Sequence, residues 1–351
     1  MDKFVLLGDK DKRAYFEVAA ADLNVMPQLI EKDFWVCWIL KTLFSLPKSG
    51  SHLTFKGGTS LSKCYDIIKR FSEDVDVSIE RTFLSSDASI EPDKDESNKE
   101  NQRRLERLQL ACKEKIASTL IPELRKSIAK VLTDKKSWGL DLDPKDALGQ
   151  TVLFTFPHSL TSSLESYVKS AVKIEFGSRA DHWPVEKMTV SPYVANVSGD
   201  VSVEGAPVRV LAAERTFWEK ATILHMIHNY PEGKNVPPRM SRHYYDLFAM
   251  VDTQIYKKSL EKIDLLKDVS EHKALFFKAN WAHYEEAKPG GLKLSPREDQ
   301  KGQLKTDYRQ MQEMFFEDPP SFDNILEKLK KVEKEINRKL YFCRCYRQGR
   351  P

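Results

Sequence analysis

The sequence predicts an α/β (α+β) protein, with a mixed-sheet lobe over residues 1–211 and a largely helical lobe over residues 212–351. Three observations lead there. Apolar and polar residues alternate with period two around Leu53–Ile79 and again between Trp138 and Val210, as in strands. Apolar residues recur at three- and four-residue steps from Pro27 to Phe44 and through most of the chain after Ala212, as in helices. With 351 residues and 41% hydrophobic content, the chain has enough apolar surface for one large or two small cores.

The first strong helix is PQLIEKDFWVCWILKTLF, with Pro27 in its first turn and Ile30, Phe34, Cys37 and Trp38 at helical spacing. Glu31, Lys32 and Asp33 interrupt it as a charged break, either solvated or facing a site. A short strand, Leu53–Phe55, leads into Gly57-Gly58. Leu61, Cys64, Tyr65 and Ile68 then define one buried face of a helix, and Asp74–Ile79 alternates as a strand. Residues 85–100 are polar and predict a mobile surface loop. A charged helix follows over Asn101–Leu120, and Pro122 opens another that runs to Val131. Strands are expected at Val152–Phe156, Val168–Phe176, Met188–Val190 and Val208–Leu211. In the second half, Ala212–His228 is one helix and Ile325, Leu329, Val332 and Ile336 mark another, before a basic tail at 338–351. No internal repeat is evident.

Composition narrows the function classes. The balance of 56 basic and 52 acidic residues gives +4, too mild by itself to imply nucleic acid. No apolar run approaches the roughly 20 residues that a membrane span needs, and the opening MDKFVLLGDKDKR lacks a signal-peptide core. Five scattered cysteines without CxxC pairs fit a reducing cytoplasmic setting and argue against zinc. The eight histidines show no paired-ligand spacing.

Chemistry concentrates in FKGGTSLSKCYDIIKRFSEDVDVSI, residues 55–79. Gly57 and Gly58 would let backbone approach a bulky anion, which the start of the following helix favours, and Thr59 and Ser60 can donate hydrogen bonds there. Asp74 and Asp76 share a strand face, where two carboxylates can hold Mg2+ together with substrate phosphates. Metal bound there would activate an attacking hydroxyl and stabilise a leaving pyrophosphate. The plainer alternatives are an ordinary strand-to-helix turn and a solvated acidic face. Lys173 and Glu175 share the polar face of an otherwise apolar strand, so Glu175 is a candidate third carboxylate or half of a surface Lys–Glu ladder. Glu214 and Lys220 lie on one helix about a third of a turn apart. Arg242 and Asp246, at i and i+4, suggest a helix-surface ion pair of about 0.3–0.5 kcal/mol.

The Gly-Gly turn followed by D-x-D resembles the nucleotidyltransferase fold, and the run Arg70–Asp76 is similar more narrowly to the AbiEii/AbiGii-type nucleotidyltransferase toxins of type IV toxin–antitoxin and phage-abortive systems. Further similar stretches occur in the family's order: Ile30–Asp33, Val172–Phe176, Glu214 through Lys220, Arg242 with Tyr245-Asp246, and Pro320-Ser321-Phe322 to Ile336-Asn337. The loop at 85–100 and the basic tail match less well.

The resemblance implies that Gly57, Gly58, Thr59 and Ser60 cradle a triphosphate and that Asp74 and Asp76 bind Mg2+. It makes Lys173 and Glu175 the family's K-x-acid strand motif, with Glu where Asp is common. Lys220 becomes a phosphate or base contact, and Glu214 and Asp246 border residues of a cleft that the helical lobe completes. The implied reaction is transfer of a nucleoside monophosphate from a nucleoside triphosphate to an acceptor hydroxyl, with the 3′ end of tRNA as acceptor, arresting translation and growth. A cognate antitoxin would be a partner. Nucleotidylation of a protein hydroxyl, phosphotransfer, and a non-enzymatic nucleotide- or RNA-binding module are the alternatives. The basic tail and the helix from Arg103 to Lys115 offer RNA contacts, with Tyr341, Phe342 and Tyr346 available for stacking.

Overall fold

The computed structural model describes residues 1–160, 171–197 and 199–347, with side chains as far as Arg338 except those of Ala88 and Glu313. The chain forms two compact units. One comprises Met1–Asp66 and Phe71–Leu211, the other Ile67–Arg70 and Ala212–Pro351.

The first unit begins with helices α1 (Asp2–Val5), α2 (Asp9–Leu23) and α3 (Pro27–Phe44). Strand β1 (Leu53–Lys56), helix α4 (Gly57–Lys63) and strand β2 (Val75–Ile79) follow. Next come α5 (Arg81–Leu84), α6 (Asn98–Lys115), α7 (Ile121–Ala129) and strands β3 (Gly139–Leu142), β4 (Thr151–Thr155), β5 (Ala171–Gly177), β6 (Val185–Val190) and β7 (Ala206–Leu211). The seven strands form one mixed sheet in the order β3-β4-β5-β2-β1-β7-β6. β2 pairs antiparallel with β1 and parallel with β5, and β1 pairs parallel with β7.

α3 is the central helix of this unit. Its residues from Leu29 to Leu40 are all buried, so it is enclosed rather than amphipathic. Trp35 stacks on Phe156 and Trp38 on Phe154, which fixes the helix against the apolar face of β4. On β5 the expected alternation is realised: Val172, Ile174 and Phe176 are buried, while Lys173 and Glu175 are half-buried on the other face.

Several expectations shift. The 85–100 stretch is not one irregular loop. Ile90 is buried, and α6 starts at Asn98 because Ser97 caps it, its hydroxyl accepting the Glu100 amide. α6 and α7 are joined by a π-helical turn, Ile116–Leu120, that keeps Ile116 and Leu120 in the core. The strand expected at 188–190 begins earlier, at Val185, because β6 pairs along the whole of β7. Residues 168–170 of the Val168–Phe176 expectation lie outside the described residues.

The second unit is helical: α8 (Ala213–His228), α9 (Ser241–Val251), α10 (Gln254–Glu261), α11 (Asp264–Phe276), α12 (Glu298–Gln310) and α13 (Phe322–Arg347). α8 is buried over nearly its whole length and packs against α9, α10 and α11. Ile325, Leu329, Val332 and Ile336 form the buried stripe of α13. That helix carries the chain through the start of the expected basic tail. The side chains of Lys339, Tyr341, Phe342, Arg344, Tyr346, Arg347 and Arg350 lie outside the described ones. Among the described residues no helix is long and apolar enough to cross a membrane.

Candidate active site

In the first unit, β1 ends at Lys56 and the backbone turns at once into α4. Gly57 makes that turn with φ +81°, a conformation that costs other residues strain. A Cβ at this position would lie 2.1 Å from Asp76 Oδ2 and 2.9 Å from its Cγ, so the missing side chain is the space that the Asp76 carboxylate occupies. Register explains the meeting: Lys56 lies opposite Asp76 on the β1 side, and Glu175 lies beside Asp76 on the β5 side. Asp74 immediately precedes β2, two residues before Asp76 and so toward the same face.

Thr59 and Ser60 are fully buried, and their hydroxyls donate inward. Thr59 Oγ1 donates to the Asp74 carbonyl at 2.5 Å and lies 2.8 Å from Ser72 Oγ. Ser60 Oγ donates to the Gly57 carbonyl at 2.8 Å. These hydroxyls therefore build the loop, and Thr59 ties the Gly-Gly turn directly to the start of the acidic strand.

Lys173 forms an ion pair with Glu175 on β5. Burial disfavours the charge on Lys173, but the hydrogen bond and charge of Glu175, with Asp74 and Asp143, raise its pKa above the usual lysine value. The face shared by β2 and β5 thus holds three carboxylates and one cation at successive positions. Hard carboxylate oxygens at Asp74 and Asp76, with a glycine leaving the Asp76 carboxylate its room, fit a divalent cation of the Mg2+ type. Among the described residues, three donors gather within 4.8 Å of one another at His283, Glu285 and Glu286 instead, an exposed group in the second unit.

The other expected residues belong to the second unit, where two of the three come together. Lys220 on α8 donates to Asp246 Oδ2 on α9 at 2.7 Å. Asp246 is completely buried and also takes both Nε and Nη2 of Arg70, at 2.8 Å each. Burial alone would raise the pKa of Asp246; Arg70 and Lys220 reverse that and hold it well below the usual carboxylate range. The expected surface pair of Asp246 with Arg242 is therefore replaced by an interior one, because α9 turns Asp246 inward. Glu214 is not part of this group. It accepts from Lys262 Nζ at 2.9 Å, and Lys262, after the opposing effect of burial, keeps its carboxyl below the usual range.

Sequence reasoning assigned no role to Arg70, although it opens the run Arg70–Asp76; its partner lies 176 residues away. The charged break in α3 was the signal for a second missed set. Glu31, Lys32 and Asp33 are all buried and paired. The basic character expected of α6 is largely spent on its own neighbours, since Arg103, Arg104 and Arg107 all pair with Glu100.

No curated protein matches the sequence. Among solved structures, the comparison includes "MenT4, nucleotidyltransferase toxin Rv2826c from Mycobacterium tuberculosis H37Rv", 13% identical, covering 84% of this chain and 98% of that one with a TM-score of 0.34. The family model described as "Nucleotidyl transferase AbiEii toxin, Type IV TA system" matches residues 38–328, a span that includes the Gly-Gly turn, the acidic strand, the Lys173–Glu175 strand and both α8 and α9. The chain belongs to the AbiEii family, the nucleotidyltransferase toxins of type IV toxin–antitoxin systems.

Proposed function

We propose that this nucleotidyltransferase moves a nucleoside monophosphate from a nucleoside triphosphate to the 3′ hydroxyl of tRNA, using Mg2+ held by Asp74 and Asp76. The observation that carries the metal assignment is the fit of the Asp76 carboxylate into the space left by Gly57, with Glu175 in register beside it. Gly57 and Gly58 admit the triphosphate close to the backbone, and Thr59 and Ser60 hold that turn in shape through their inward bonds. Bound Mg2+ would neutralise phosphate charge and acidify the acceptor hydroxyl. The acceptor oxygen attacks the α-phosphorus, the bond from that phosphorus to the bridging oxygen breaks, and pyrophosphate leaves. Glu175 is the candidate acceptor of the hydroxyl proton, with Lys173 balancing its charge. In the second unit we assign supporting roles to Lys220 and Asp246 as a pair, and to Glu214 separately. The family implies a cognate antitoxin as partner. Loss of chargeable tRNA 3′ ends would arrest translation.

The test is incubation of the full chain with Mg2+, total tRNA and each triphosphate labelled at the α- or γ-phosphate. α-Label in tRNA, abolished by Asp74→Asn and by Asp76→Asn in folded protein, is the expected result. α-Label in protein would redirect the acceptor to a protein hydroxyl, and γ-label in any acceptor would make the reaction phosphotransfer. Binding of triphosphate or tRNA with no transfer would leave a sequestering module.

A further inference from the structure

Three consecutive charged residues sit in the second turn of α3, the most buried helix of the first unit. Glu31, Lys32 and Asp33 are 2%, 1% and 3% exposed, flanked by Ile30 and Phe34 at 1% and 0%. Buried charges of this kind are seldom worth their desolvation as sources of stability, and well-packed apolar residues would serve a core better. Successive residues on a helix point about 100° apart, so the three reach different segments.

Glu31 accepts from the Ser159 amide at 2.6 Å and from its hydroxyl at 2.9 Å, just after β4. Lys32 Nζ meets Glu73 Oε2 at 2.6 Å, with both side chains largely withdrawn from water. Asp33 meets Lys63 Nζ at 2.7 Å and also accepts the Tyr193 amide at 2.8 Å. Lys63 in turn lies 3.6 Å from the centre of the Tyr193 ring.

Placement along the chain gives these pairs their meaning. Lys63 is the last residue of α4, the helix begun by the Gly-Gly turn, and Glu73 is the residue before Asp74. Two adjacent side chains of α3 therefore grip both ends of the segment that joins the Gly-Gly helix to the acidic strand. Between the grips, Ile67–Arg70 leave the first unit and group with the second. The connection rejoins the first unit at Phe71, and the β1–β2 register starts only at Asp76, so the stretch that leads into Asp74 is placed from outside that ladder, by Thr59 on the Asp74 carbonyl and by Lys32 on Glu73.

We infer that Lys32 and Asp33 are positioning residues for the metal site: through Glu73 and Lys63 they set the spacing between the Gly-Gly turn and Asp74. This rests on the metal assignment to Asp74 and Asp76 made above. It adds that the geometry of that pair is imposed from α3, by residues that touch neither metal nor nucleotide.

The test uses the full-length chain and Mn2+ as the probe, with binding followed by electron paramagnetic resonance and transfer kinetics measured alongside. Loss of support behind a metal ligand weakens metal affinity or activity about 10–100-fold. Lys32→Met and Glu73→Gln are each expected to weaken Mn2+ binding in that range and to lower kcat more than they raise KM for the triphosphate. The reversed pair Lys32→Glu with Glu73→Lys is expected to recover much of the loss. Glu31→Gln is the control, since it loosens the same helix elsewhere: it should lower Tm and leave Mn2+ affinity unchanged.

Native Mn2+ affinity and native kcat in folded Lys32→Met or Glu73→Gln overturn the inference. Should Lys32→Met fail to fold, Glu73→Gln, which keeps the side-chain volume, decides alone. The double variant Asp74→Asn with Asp76→Asn separates the two readings. If it binds Mn2+ with native affinity and stoichiometry, also when His283, Glu285 and Glu286 are replaced by Ala, the metal assignment falls and the inference with it. If it loses Mn2+ while Lys32→Met and Glu73→Gln keep native affinity, only the positioning role falls.

Discussion

Arg70 places two nitrogens on the two oxygens of Asp246, each at 2.8 Å, in a fork that a lysine cannot reproduce. The same carboxylate also serves Lys220, so one buried anion balances two buried cations. Removing that anion strands both. Asp246→Asn is expected to destabilise the protein by about 3–5 kcal/mol, the usual cost of leaving a buried charge without its partner. Arg70→Lys should cost less, because one donor survives. Urea unfolding of the three proteins at pH 7 measures both, and equal midpoints for wild type and Asp246→Asn would refute the account.

Acid should weaken the fold earlier than carboxylate chemistry alone explains. Burial, reinforced by Lys220 and Arg242, holds His243 well below the usual histidine range, and burial lowers His225 as well, against the raising effect of its hydrogen bond to the His283 carbonyl. The folded protein keeps these rings neutral, while the unfolded chain protonates them below about pH 6.5. The unfolded state then binds more protons, so stability falls as pH drops through that range and recovers above it. Below about pH 4 the depressed Asp246 adds a second loss of the same sign. Unfolding free energy measured from pH 5 to 8 should rise with pH, and His243→Gln should flatten the slope. An unchanged slope in that variant would remove His243 from the explanation.

Gly57→Ala should damage activity far more than stability. The new methyl group would collide with the Asp76 carboxylate, and φ +81° would add strain. A left-handed residue without glycine costs on the order of 1–2 kcal/mol, whereas displacing the carboxylate proposed to hold the metal is expected to remove most transfer. Gly302→Ala is the contrast. It sits inside α12 with nothing within 4 Å of the added carbon, so it should stabilise by about 0.5–1 kcal/mol and leave transfer intact. Melting curves and initial rates of the two variants check both halves.

Much of the fold could be read from the chain because period and spacing are local properties. The alternation in Val172–Phe176 and the apolar steps of Pro27–Phe44 already specify which faces are buried. The Gly-Gly turn and the Asp74–Asp76 pair were legible for the same reason, since strand, turn and strand lie within 27 residues of sequence, Leu53–Ile79. What could not be read was partnership. Nothing near Arg70 announces Asp246, and nothing in the trio Glu31–Asp33 says whether three charges meet water or three buried partners. Thr59 and Ser60 show the opposite case, where hydroxyls that read as donors to a ligand are occupied by the backbone of their own loop. Glu214 and Lys220 share a helix but serve different partners, which helical spacing permits without deciding.

The position of β1 has a consequence for how the protein is made. This strand carries the Gly-Gly turn at its end, yet it lies between β2 and β7, and β7 is Ala206–Leu211. The signature residues leave the ribosome early. Their central strand acquires its second neighbour only after the chain has grown past residue 206, and Arg70 must wait longer still for Asp246. A product truncated before that point carries the Gly-Gly turn and the acidic strand, but leaves β1 without β7 and Arg70 without Asp246. The order of strands in the sheet thus makes completion of β1 a late event, with synthesis already well past halfway.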